Sequence, residues 1–168
     1  MKINFYPESD LENFKDAVLE YEKIWDENGS KIIESWEKHS GLKFRESYVN
    51  AVVVAGRVSN SHPLSLRHDL LPDGKKANLA HELGHRILYK RVSGMAKSSL
   101  DRHKFMNLTF RDVLEDIFGD EAMRIIEWES NRPDDKYKKA WDWALSFSDI
   151  ERKDRFNKIL AGDLSLLN

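Results

Sequence analysis

Hydrophobic and polar positions change rhythm along this chain, and the rhythm marks its elements. In residues 2–6, Ile3 and Phe5 alternate with Lys2, Asn4 and Tyr6, the two-residue period of a strand. Ser9 and Glu12 have the spacing of a capping box. The helical period that follows runs to about residue 26, where Asn28 and Gly29 read as its stop. A second helical piece covers residues 30–39, with Gly41 just beyond it. Residues 48–55 (YVNAVVVA), rich in valine and bounded by Gly56, are the clearest strand. Residues 63–67 read as a short strand, placed at a sheet edge by Pro63. Leu71, Pro72, Asp73 and Gly74 read as a turn.

Beyond that turn the period is helical almost throughout. Residues 76–91 form one helix, stopped by Ser93 and Gly94, and residues 99–129 a longer one, stopped by Asn131, Arg132 and Pro133. Residues 136–147 give another helix. Ser148 and Glu151 cap a last one that ends near Gly162. Strands in front and helices behind predict an α+β fold: a small sheet, an active-site helix and a helical C-terminal half. No repeat or linker divides the chain, so residues 1–168 are expected to be one domain, a length that buries a substantial core. The acidic start MKINFYPESD has no apolar run of the secretory type, and no stretch reaches membrane-spanning length, so a cytoplasmic location is expected.

Composition narrows the chemistry. Cysteine is absent, which excludes disulfides, thiol catalysis and Cys-ligated metal, so a metal site must use His, Asp, Glu or water. A formal net charge of −2 supplies no basic surplus for a phosphate backbone, which argues against nucleic acid as a partner. The six histidines become the residues of interest.

Two of them stand in His81-Glu82-Leu83-Gly84-His85, inside the helix of residues 76–91. An α-helix turns about 100° per residue, so His81 and His85 project from one face and can hold one ion through an imidazole nitrogen each. Glu82 lies beside them on the wheel, near enough to take a proton from a water that the ion activates. Leu79, Leu83, Ile87 and Leu88 are expected to seat this helix in the core.

The motif resembles the HExxH helix of the zincin metallopeptidases. That resemblance implies a zinc ion held by His81 and His85, Glu82 as general base, and a peptide or protein substrate lying along the edge of a sheet. Arg86 departs from the uncharged residue usual after the second histidine. The longer metzincin pattern is absent, since Leu88 and Arg91 stand where it has Gly and His. A gluzincin or aspzincin arrangement follows, in which the third ligand is an acid on a later helix.

Helical-wheel positions separate the acids of residues 99–129. Glu115 and Asp120 fall among basic residues and read as solvated charges. Asp112 and Asp116 share a face with Phe105, Leu108, Gly119, Met123 and Ile126. Glu121 shares the opposite face with Phe110, Leu114, Ile117, Ile125 and Trp128. The segment RDVLEDIFG is similar to the third-ligand helix of the thermolysin family, which implies Asp112 as the ligand and Asp116 as the residue orienting a histidine. Asp here is shorter than the Glu of that family, and its large second domain is missing. Gly119 would let the helix approach closely, against Gly84. Glu121 is the rival ligand, because an acid on an apolar face is expensive to bury unless paired or metal-bound.

Other candidates have structural readings beside functional ones. His103 can be a ligand or a transition-state donor, or can pack near its helix start. His62 and His68 flank the short edge strand where a substrate could pair, or are plain loop residues. Tyr89 can donate to an oxyanion or be a half-buried aromatic, and His39 suits a helix C-terminus. Trp25, Trp36, Trp141 and Trp143 read as core. Together these residues predict a minimal zinc metallopeptidase with one catalytic Zn²⁺ held by His81, His85 and Asp112. The alternative is a metal-binding regulatory protein on the same scaffold without general proteolysis.

Overall fold

The computed structural model describes residues 1–56, 59–92 and 98–167. It is an α+β structure, with the element types in the order the sequence implies. The chain divides into two compact units, Met1–Ile87 and Leu88–Asn168. One domain was expected, and each unit is described by itself.

The first unit opens with β1 (Lys2–Pro7), helix α1 (Glu12–Ser40) and β2 (Tyr48–Val54). β1 and β2 pair in parallel with Lys2 opposite Tyr48 and Pro7 opposite Val53. Parallel neighbours need a long crossover, and α1 supplies it. Next come β3 (Asn60–Ser61) and β4 (Leu64–Arg67), giving the sheet order β1-β2-β4-β3 with β3 antiparallel. Pro63 therefore precedes an inner strand; the edge position falls to the two-residue β3, which covers Leu64 and Ser65. One sheet face is buried through Ile3, Phe5, Val49, Ala51, Val53, Leu64 and Leu66, as the alternation requires.

α1 is continuous where the sequence suggested a break at Asn28 and Gly29. Gly29 is buried, and a Cβ there would fall 2.8 Å from the Trp25 ring, so this glycine makes room for an indole rather than ending a helix. The expected capping box is also absent: Leu11 occupies the cap, and Ser9 Oγ accepts from the Leu11 amide. Gly41 does close the helix, at φ 68°.

Helix α2 (Pro72–Val92) completes the unit and continues into the next. Residues 71–74 are its first turn rather than a free turn, because Pro72 occupies the first helical position, where a missing N–H is harmless. The stop expected at Ser93 and Gly94 lies outside the described residues.

In the second unit, α3 (Ser99–Phe118) packs against α4 (Ala122–Ser130), α5 (Asp135–Leu145) and α6 (Asp149–Leu160). Phe105 stacks on Phe156 at 4.7 Å and Phe110 leans on Trp141 at 5.8 Å, which accounts for the apolar surround of α3. The helix expected to reach residue 129 ends at Phe118. Gly119 takes φ 58°, ψ −130°, and a short 3₁₀ turn (Gly119–Glu121) leads into α4. The Ser148/Glu151 capping box forms as expected.

Candidate metal site

The HELGH segment lies in α2, and the reasons are local. Ala77, Leu79, Ala80 and Leu83 are fully buried, so α2 presents an apolar stripe through this stretch. Three polar ties fix its position in the first unit. Lys75, 4% exposed, pairs with Glu20 of α1. Asn78 donates to Ser59 Oγ at 2.9 Å, and Trp36 Nε1 donates to the Ala80 carbonyl at 2.9 Å. The benzo ring of Trp36 then lies against Gly84: a Cβ there would come 2.2 Å from Trp36 Cζ2. Gly84 thus answers to Trp36 within its own unit. Gly119 is exposed, with nothing within 4 Å of where its Cβ would stand.

His81 and His85 come together as the helical repeat requires, their rings edge-on with centroids 4.9 Å apart. His81 is 2% and Glu82 4% exposed, while His85 is partly open. Two imidazoles at this spacing, with a carboxylate beside them, are the donor chemistry that suits a borderline ion such as Zn²⁺, so the residues fit the group. Arg86 turns away to the sheet, donating to the Ser61 carbonyl and to Glu46 at 3.2 Å. That explains a charged residue beside the motif: it ties α2 to β3.

Asp112 is one-quarter exposed in its side chain and engaged by two guanidiniums, accepting from Arg152 at 3.0 Å and from Arg111 at 3.3 Å. Arg152, itself 4% exposed, also pairs with Asp149 at 2.7 Å and donates to the Phe147 carbonyl. Asp116 is half-buried on the same helix. Glu121 stands on the 3₁₀ turn, 62% exposed and paired with Arg124 at 2.6 Å. The break at Gly119 takes it off the continuous wheel that had placed it among apolar residues.

His103 is 5% exposed at the start of the second turn of α3. Its Nδ1 lies 2.7 Å from the Ser99 carbonyl, an acceptor, so Nδ1 donates to it. Tyr137 packs edge-on against the ring at 4.9 Å, and Arg132 lies over Tyr137 at 4.7 Å while pairing with the fully buried Glu129 at 3.3 Å. This support for His103 was missed in the sequence, because residues 129–137 fall at an apparent helix stop. Asn107, one turn further on α3, is 2% exposed, and its Oδ1 has no hydrogen-bond partner among the described residues.

The remaining histidines have structural surroundings. His68 stacks on Phe14 at 4.4 Å and sits 3.2 Å from the Val54 carbonyl. His62 is exposed before β4, and partial desolvation, aided by the Arg86 guanidinium, holds its ring below the ordinary histidine value. His39 is half-buried in the last turn of α1, and Tyr89 is 49% exposed.

Among the described residues, no helix is long and apolar enough to cross a membrane. No family model, curated protein or solved structure matches the chain.

Proposed function

We propose that this chain is a cytoplasmic metal-dependent peptidase that cleaves a peptide or protein substrate. The observation that carries this reading is the pair His81 and His85 on one face of α2, ring centroids 4.9 Å apart, with the buried Glu82 beside them. Within the first unit, His81 and His85 are the pair suited to share one ion. The third ligand is expected from α3, where the Ser99 carbonyl orients the His103 ring while Asp112 serves two arginines, so His103 takes that role ahead of Asp112.

A zinc ion bound there supplies Lewis acidity, polarising a substrate carbonyl and making a water more acidic. The chain's own residues do the rest. His81 and His85 would fix the ion's position, and the Ser99 carbonyl and Tyr137 hold the His103 ring in its plane. Glu82 accepts the proton from the attacking water and can return it to the leaving amine.

Metal analysis and peptide hydrolysis test the reading together. The purified protein should carry one zinc per chain. Glu82→Gln should keep that zinc and lose hydrolysis by about 10²-fold or more, the lower range for a general base. A wild-type protein that binds no zinc would defeat the proposal.

A further inference from the structure

The outer side of β1 forms one wall of a groove of about 440 Å³ whose other wall is α1. β1 is a terminal strand of the sheet, so one of its edges has no strand partner among the described residues. Its pairing with β2 says which backbone groups face that edge. The Lys2 amide donates to the Ser47 carbonyl and the Glu8 amide to the Val53 carbonyl. In a parallel ladder alternate residues bond to the same neighbour, so Lys2, Asn4, Tyr6 and Glu8 turn their backbone groups toward β2. Ile3 and Phe5 then aim their N–H and C=O groups into the groove while their side chains enter the core. Lys2 and Pro7 blunt the two ends of the edge, and the middle is left able to pair.

The helix wall sets the charge. Glu22 and Asp26, four residues apart, lie on the groove face of α1 with the half-buried Trp25 between them. Neither carboxylate is engaged in an ion pair among the described residues. Two carboxylates and an indole face suit guanidinium or ammonium groups, which gain both charge pairing and ring stacking. A strand edge beside a helix is a geometry that takes an extended peptide as an added strand, with alternate side chains lying against the helix.

We propose that this groove binds an extended peptide segment with arginine or lysine at alternate positions, paired to the outer edge of β1. The surface lies wholly within the first unit, and its occupancy does not depend on the metal site.

Fluorescence anisotropy with a labelled eight-residue peptide of alternating arginine and valine tests this at near-physiological salt. The wild-type protein should bind it at least tenfold more tightly than a glutamate-for-arginine counterpart. Glu22→Lys with Asp26→Lys should weaken the arginine peptide at least tenfold, while Asp120→Lys with Glu127→Lys, two exposed acids elsewhere, should not. N-methylation of alternate peptide amides on the pairing side should abolish binding. If the double lysine variant loses its near-ultraviolet circular dichroism, Glu22→Gln with Asp26→Asn takes its place. Undetectable binding to the wild type, equal binding to the groove variant, or undiminished binding of the N-methylated peptide would each overturn the proposal. So would a wild-type dimer that the groove variant abolishes, since a second copy would then occupy the edge.

Discussion

At residue scale, His103 and Asp112 share a helix but have opposite neighbours. His103 is buried against Tyr137 and oriented by a carbonyl, whereas Asp112 neutralises a buried arginine. Metal content separates their roles. His103→Ala should release the zinc, whereas Asp112→Ala should retain it and unfold more easily. The loss at Asp112 should be about 1–3 kcal/mol in a urea titration, because Arg152 gives up one of its charge partners in a desolvated setting. Full zinc in the His103 variant would exclude it as a ligand. The histidine pair of α2 was legible in the sequence because its spacing alone creates the geometry. The surroundings of His103 were not, since Tyr137 and Ser99 gain meaning only from a packing that no local period encodes.

At the scale of elements, amphipathic periods located most of the strands and helices, and two of the errors fell at glycines. Gly29 and Gly119 read alike in sequence, one as a stop and one as a site of close approach. The structure exchanges those roles. Gly29 sits inside an unbroken helix under an indole, and Gly119 ends α3 with a backbone that L-residues avoid. Gly119→Ala should therefore destabilise the protein by roughly 1–3 kcal/mol, measured by chemical denaturation, with little effect on metal content. A neutral result would mean that the α3–α4 junction relaxes freely. Pro72 teaches the same lesson: a Pro-Asp-Gly sequence suggests a turn, yet the same residues start a helix when a buried stripe follows.

For the whole molecule, titration sets a pH window from both sides. Asp69, paired with Arg67, and Asp149, paired with Arg152, have carboxyls held below their ordinary range. Their stabilisation is complete above the unfolded carboxyl value of 3.8 and is lost as pH falls through the lower folded values. Tyr21 behaves oppositely. Burial raises its phenol well above the ordinary 10.0, and its hydroxyl donates to the Arg67 carbonyl at 2.9 Å. The neutral form is the one that folds, so this stabilisation is full below pH 10 and declines above it. Thermal melts should show a plateau from about pH 5 to 9 with a fall on each side. Tyr21→Phe should flatten the alkaline fall, and an unchanged alkaline limb would show that other groups govern it. The acid limb rests on pairs two and three residues apart, whereas the alkaline limb depends on a partner 46 places away, which composition and net charge could not reveal.

The contact between Trp36 and Gly84 binds two positions, 48 places apart in numbering, into one inherited unit. The fourth letter of HELGH is here a steric slot cut to an indole. Gly84→Ala alone should cost about 1–3 kcal/mol or more through overpacking. Combined with Trp36→Phe, which removes the intruding ring edge, the loss should be smaller than the two single losses added, a coupling that a double-mutant cycle reads directly. A descendant of this chain could then replace its glycine at residue 84 only after residue 36 had shrunk, so the order of changes is constrained as well as their identity.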